Sequence, residues 1–470
     1  MMKKTVLCLA IGLCVGPLTG CSHWTRSEFS SPAVEVPAQW AQAGSDSTVS
    51  QTPQMDHWWQ RFADPQLDQI VTQVLATNND LALATLTLAQ ARLQAGIADR
   101  DQYPDLSASL NASSQRPLTS GGSTTRRYGT TTSISYEVDL WDRLGALKDS
   151  ADWTAQARWE DRESTAQSLV ATTATLYWQI GYLQQRLQLA QSSIQYAEQT
   201  LKLAQDQYRA GAVSQLDVLE ARRSLASQEA TQRQLEQQLV EAQNAFAVLF
   251  GAPSKRLNAQ IQRLPDQPIP QVQSGLPAEV LLRRPDVRAH LSLLRAALAE
   301  QDAVASQYLP TLTLTGSVGT SSSQLENLLR NPVGTLGAGL VLPFLNWHQM
   351  DLNKQLAANR YQQAVVSYRQ TLYQAFADVE NALSARRQLA QQHGFIQAQY
   401  QSALAAEKIY ESRYQAGAVS MQNWLDAQQQ RRSAQMSLLE NHFQRLQAQA
   451  TLYQALGGGD VMSVDDSHVQ

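Results

Sequence analysis

Hydrophobic positions along the chain change period in a fixed order. Pro65 to Ala76 is apolar at helical spacing, and Asn78, Asn79 and Asp80 offer N-caps for a second helix running towards Ala98. Tyr103-Pro104 ends that helix, because proline biases the residue before it away from the α region. Strict alternation follows. Leu106, Ala108, Leu110 and Ala112 interleave with Ser107, Ser109 and Asn111, and later Ile134, Tyr136 and Val138 interleave with Ser133, Ser135 and Glu137. Helical spacing then returns from about Arg143 to Tyr208, a stretch without proline that would reach roughly 95–100 Å at ~1.5 Å per residue. Within it Leu183, Leu187, Ala190, Ile194, Ala197, Leu201, Ala204 and Tyr208 step by four and three, a heptad seam for a neighbouring helix.

The same order occurs twice. Tyr208-Arg209-Ala210-Gly211-Ala212-Val213-Ser214 returns as Tyr414-Gln415-Ala416-Gly417-Ala418-Val419-Ser420, at an offset of 417 − 211 = 206. That offset also carries Asp80 onto Asp286, Pro104 onto Pro310, Ala171 onto Ala377 and Gly251 onto Gly457. A period this long marks a duplicated unit rather than a solenoid of ~20–50-residue repeats. In the second copy Pro277 to Arg284 and Pro285 to Ser306 read as the two helices. Leu312, Leu314, Gly316 and Val318, then Leu336, Ala338, Leu340 and Leu342, line the apolar faces of its two strands. Each copy reads helix, strand, strand, helix, helix. Gly211 and Gly417 suit the left-handed position that ends a helix, and Ser214 and Ser420 the N-cap of the next. Each copy therefore closes as a long helical hairpin with an Ala-Gly-Ala-Val-Ser tip.

Each strand has about the ~9–11 residues that a tilted transmembrane strand needs. Tyr103, Tyr128, Trp141, Tyr308, Phe344 and Trp347 lie near the strand ends, where interfacial girdles belong. The alternation also fits a soluble sheet with one wet face. If the strands span a membrane, four cannot close a barrel, so several chains must pool them. Three chains would give twelve.

The N-terminus changes the picture. Lys3 and Lys4 precede a short apolar run that ends in Leu18-Thr19-Gly20-Cys21. The pattern resembles a bacterial lipoprotein signal in which Cys21 becomes the lipidated N-terminus, and Ser22 after it favours the outer membrane. The plainer alternative is a secretory signal with a coincidental cysteine. Cys8 and Cys14 would leave with the signal, so no thiol remains for disulfide, metal or nucleophile chemistry. Losing Lys3 and Lys4 would move the net charge from −4 to −4 − 2 = −6, which is no nucleic-acid surface. The order implied is signal peptide 1–20, lipidated tether 21–55, first repeat 56–265, second repeat 266–459 and tail 460–470.

Catalytic motifs are absent from the sequence. The histidines stand singly, with no His-Glu-x-x-His, Walker loop or nucleophile elbow, so an envelope hydrolase has little behind it. Gly121-Gly122 lies in a Ser/Thr-rich segment between the first two strands and reads as a surface loop. A coiled-coil scaffold lipoprotein would explain the helices but not the paired strands.

Trp58-Trp59 with Phe62, Asp64-Pro65, Gly275-Leu276-Pro277-Ala278, Leu281-Leu282-Arg283-Arg284-Pro285-Asp286-Val287, the doubled turn and Leu456-Gly457-Gly458-Gly459 together resemble TolC-type outer membrane factors. The likeness is to the lipoprotein branch found with tripartite drug and metal efflux pumps. It implies a homotrimer with a twelve-stranded β-barrel in the outer membrane, four strands per chain. Beneath the barrel an α-helical barrel would cross the periplasm to meet an adaptor protein and an inner-membrane pump. The implied function is a passive exit duct for drugs or other small toxic compounds, and not an enzyme. Type I protein secretion and heavy-metal cation efflux are the alternatives. No cofactor is implied beyond the covalent N-palmitoyl and S-diacylglycerol groups on Cys21. Carboxylates at the positions of Asn423 and Asp426 form rings at the family's periplasmic aperture, and here the first is an asparagine. Asp217 and Glu220 hold the equivalent places in copy one. Gly211, Ala212, Val213 and Ser214, with Gly417, Ala418, Val419 and Ser420, are the tips the family presents to its adaptor.

Overall fold

The computed structural model describes residues 25–33, 40–41, 56–118, 123–251, 261–270, 278–459 and 461. Cys21, the signal, the Gly121-Gly122 loop and Gly275 to Pro277 lie outside them. The first copy contributes α1 (Pro65–Thr77), α2 (Asn79–Arg100), β1 (Asp105–Gln115), β2 (Thr125–Val138), α3 (Arg143–Arg209) and α4 (Gln215–Val248). The second contributes α5 (Pro285–Ser306), β3 (Thr311–Ser322), β4 (Pro332–Val341), α6 (Trp347–Gln415) and α7 (Met421–Ala455). The long helices α3 and α6 have 67 and 69 residues. Where the sequence suggests a helix from Pro277 to Arg284, the described residues form a 3-10 helix, Ala278–Arg283. Pro285 pulls Arg284 out of the helical region and leaves too few residues for α-helical turns.

The described residues divide into two compact units, each drawing on both halves of the duplicated sequence. The first holds residues 86–160 and 288–371 with the described part of the first 34. Its sheet is antiparallel in the order β1-β2-β3-β4. Register decides its character. Leu106 faces Ile134, Ile134 faces Gly316 and Gly316 faces Leu336, while Tyr136 faces Leu314 and Leu312 faces Leu340. Directly opposed residues share a face, so one face carries aliphatic residues across all four strands. The other carries Ser107 against Ser133, Ser133 against Ser317 and Ser317 against Thr335. On that polar face the Ser107 and Ser133 hydroxyls lie 2.8 Å apart. A Cβ on Gly316 would come within 3.1 Å of Ile134, so glycine gives the apolar face its room there.

Around the sheet's foot, Asp139 accepts from the backbone N–H groups of Arg143 (2.7 Å) and Gly145 (3.0 Å) and so starts α3. Two of the expected girdle aromatics serve this foot instead. Tyr308 is buried beside Asn353, and Trp141 donates through Nε1 to the Pro310 carbonyl at 2.8 Å. The segment after Thr25 is clamped here as well. Arg26 pairs with Asp142 at 2.7 Å, Ser27 bonds both oxygens of Asp302, and Arg295 lies over the rings of Phe29 and Trp153.

The second unit is helical. Asp64 caps α1 by accepting from Gln66 and Leu67, and Asn78 does the same for α2 through Asp80 and Leu81. Trp58 stacks on Tyr453 at 5.2 Å, and Phe62 packs on Trp178. Gly457, Gly458 and Gly459 all take positive φ, and Gln167 donates to the carbonyls of Gly457 and Gly459 in that turn. Arg284 bonds Asp286, Asp378 and the Ala455 carbonyl, which makes it a structural anchor, whereas Arg283 is exposed.

Candidate functional site

The two hairpin tips belong to the second unit and are built alike. At Gly211 the φ is 73°, its N–H donates to the Tyr208 carbonyl, and the Ala212 N–H reaches the Gln207 carbonyl. Gly417 (φ 70°) repeats both bonds, to Tyr414 and, through Ala418, to Arg413. This paired closure ends a helix in the left-handed region, where a Cβ is strained.

Below the turns the copies diverge. Tyr414 is buried and stacks on Trp424 with ring centroids 5.1 Å apart. Its hydroxyl bonds Gln207 Oε1 at 2.5 Å across to α3. Tyr196 meets the edge of Trp424 and donates to Glu411, and burial followed by the charges of Glu411 and Glu407 pushes its pKa up to about 12. Around this aromatic group Ala204, Val218, Ala221, Met421 and Leu425 complete an apolar cluster drawn from α3, α4, α6 and α7. Tyr208, the copy-one mate of Tyr414, is 46% exposed, so the heptad seam on α3 is covered only as far as Ala204.

The carboxylates differ in the same way. Asp217 accepts from both the N–H (3.0 Å) and the hydroxyl (2.7 Å) of Ser214, forming a capping box at the start of α4. It also lies close enough to Tyr414 to help raise that phenol's pKa, after the larger effect of burial. Glu220 is half-buried one turn further on. Ser420 makes no side-chain cap bond. Asn423 and Asp426 are both exposed, three residues apart on one face of α7, opposite Trp424 and Leu425. Asp426 accepts from Gln422 Nε2 at 2.7 Å. Among the described residues no hydrogen bond or ion pair joins the α4 pair, Asp217 and Glu220, to the α7 pair. Of the three acids at these positions, Asp217 caps α4, Glu220 is half-buried and Asp426 is exposed. The sequence hints at the Tyr414–Trp424 stack only through the repeat, where Val218 stands in copy one at the place of Trp424.

The sequence profile of a family described as outer membrane efflux protein matches residues 70–252 and 276–458. The starts differ by 276 − 70 = 206, the offset of the internal repeat. The chain is 32% identical over 461 residues to the pyoverdine export outer membrane protein OpmQ of Pseudomonas putida, covering 95% of this chain and 97% of that one. With the cation efflux system protein CusC of Escherichia coli it shares 30% over 462 residues, covering 96% and 99%. A crystal structure of CusC superposes with a TM-score of 0.84 at 28% identity, covering 92% of this chain and 99% of that one. The open state of the Neisseria gonorrhoeae MtrE outer membrane channel superposes with 0.79 at 28%, covering 93% and 98%.

Proposed function

The chain belongs to the outer membrane efflux protein family, and on that footing we propose that three copies form the passive exit duct of a tripartite efflux pump. The observation that carries this reading is the sheet of the first unit. One face is aliphatic across four strands and the other is largely serine, threonine and glycine, with Leu106, Leu110, Leu336 and Leu340 exposed. Among the described residues β1 and β4 each pair on one side only. Lipid tolerates neither an open sheet edge nor a polar sheet face. Closing three such sheets into twelve strands removes the edges, turns the leucines to lipid and the hydroxyls to water.

The helical tips then face the periplasm, where an adaptor protein grips the Ala-Gly-Ala-Val-Ser turns and an inner-membrane pump supplies cargo. The duct carries what the pump delivers. Relatives named for pyoverdine export and for cation efflux lie at similar distance from this chain. Cys21 carries the lipid that holds the N-terminus at the outer membrane, and loss of labelled-palmitate uptake in Cys21→Ala is the expected result.

Planar bilayers test the duct directly. Detergent-extracted protein should run near three times the 51.9 kDa of one chain and open single channels. A stable monomer with full β content and no conductance would overturn the shared barrel.

A further inference from the structure

The helices of the first unit follow the order of the strands they serve. α2 leads into β1, α3 follows β2, α5 leads into β3 and α6 follows β4, and the strands lie in the order β1-β2-β3-β4. Neighbours in this row are joined. Lys148 of α3 lies 4.0 Å from Asp99 of α2, Arg288 of α5 pairs with Glu160 of α3 at 2.8 Å, and Arg360 of α6 pairs with Glu300 of α5 at 2.8 Å. α2 and α6 stand at the two ends of the row, and both leave an apolar stripe uncovered. Leu86, Leu93 and Ile97 of α2 are 63–71% exposed, and Leu352, Leu356 and Val366 of α6 are 50–63% exposed. Their spacings keep each set on one helical face.

The internal repeat indicates what fits there. At the 206-residue offset Leu86, Leu93 and Ile97 fall on Ser292, Ala299 and Ala303 of α5. Those three are only 3–7% exposed. They share a face with Arg288 and Arg295, which reach α3 through Glu160 and through the Trp153 ring at 4.6 Å. The same face is covered and small on α5, bare and large on α2. Copy one's α3 corresponds to copy two's α6, so the matching cover for α2 is an α6. Within one chain α6 stands at the far end of the row, so that cover comes from a second copy. The residue types agree. Glu160 falls on Val366 and its partner Arg288 on Ala82, so both members of the ion pair give way to apolar side chains together.

We propose that the α2 stripe of one copy packs on the α6 stripe of the next, antiparallel and in the register of the α3–α5 joint. In that joint seven residues along α5, from Arg288 to Arg295, answer to seven residues back along α3, from Glu160 to Trp153. Ala299 and Asp149, which line one cleft in this register, carry over to Leu93 and Gln355. Leu93 then falls beside Leu356 and Ile97 beside Leu352, each within one residue. The joint inside the chain is polar, whereas the seam between copies is aliphatic. This surface rests on the assembly proposed above and adds the contact below the sheet that holds the copies together.

Ile97→Cys combined with Leu352→Cys, oxidised in detergent, should give a covalent trimer on denaturing gels, because each chain then bonds two neighbours. Each single variant should run as a monomer on the same gels. Leu93→Cys with Leu356→Cys is the second pair and stands in if the first fails to fold. Particles that light scattering shows to be trimers, yet that neither pair cross-links, would overturn the seam and leave the shared barrel standing. A monomer by light scattering would overturn both. Leu93→Asp places a carboxylate in the seam and should raise the protein concentration needed for assembly by about tenfold or more. Unchanged assembly in that variant would overturn the seam. A roughly tenfold rise in ionic strength should leave the wild-type trimer intact, since salt screens charges and not aliphatic contacts. Dissociation at high salt would overturn the aliphatic seam.

Discussion

The two tips share seven-residue motifs and the same turn hydrogen bonds, yet they rest on different supports. Tip one is held from outside its turn, by the Asp217 carboxylate bonded to Ser214, and leaves Tyr208 in solvent. Tip two has no side-chain cap at Ser420 and is held from beneath, by Tyr414 stacked on Trp424. A duplicated sequence thus preserved the backbone solution and divided the stabilising work between a polar cap and an aromatic core. The difference rests on two substitutions within the repeat, Val218 against Trp424 and Asp217 against Asn423.

The largest effect should come from the aromatic support. Trp424→Ala empties a buried site between Tyr414, Tyr196 and Met421 and should cost ~3–5 kcal/mol. Val218→Ala at the same place in copy one removes two methylene equivalents, about 1–2 kcal/mol. Guanidinium unfolding midpoints of the two variants measure the gap. Both side chains belong to one apolar cluster, and equal losses would mean that Val218 supports it as much as Trp424 does.

Much of this architecture is legible in the residue pattern alone. Alternation of Leu106, Ala108 and Leu110 with Ser107, Ser109 and Asn111 signals a two-faced strand because the side-chain period of a strand is two. The glycine turns are legible because few residues other than glycine tolerate positive φ. Elsewhere local pattern is a poor guide. Tyr308 sits at a strand end like a girdle residue, but the helix packed beside it buries the ring next to Asn353. Tyr208 continues the heptad spacing past the point where a partner covers the seam. Arg186 and Arg432 meet at one cavity although 432 − 186 = 246 residues separate them, a juxtaposition that only tertiary packing creates. Of the aperture positions, Asp217 shows its capping role in the Ser-x-x-Asp spacing, while Asp426 gives no local sign.

A middle-sized effect should separate the polar supports. Asp217→Ala removes both bonds to Ser214 and should weaken the start of α4 by about 0.5–2 kcal/mol. Asn423→Ala, at an exposed position beside an uncapped Ser420, should stay within ~0.5 kcal/mol. Limited proteolysis reads the difference as faster cleavage at Gly211–Ser214 in the first variant and unchanged cleavage at Gly417–Ser420 in the second. Equal acceleration at both tips would show that the turns melt together.

The smallest effect on folding belongs to Asp426, and there the comparison turns from stability to passage. Asp426 is exposed and accepts a local bond from Gln422, so its removal should leave stability within ~0.5 kcal/mol of wild type. In a symmetric trimer one substitution deletes three carboxylates around the axis. If those carboxylates ring the narrowest point, Asp426→Ala should raise single-channel conductance and weaken block by multivalent cations, because the site that attracts them is gone. Asp217→Ala should change conductance less, since that carboxylate is engaged with Ser214 and its loss acts first on the cap. A conductance and cation block unchanged in Asp426→Ala would reduce the residue to a solvated helical aspartate. The constriction would then belong to the apolar contacts around Trp424, where the energy of tip two already resides.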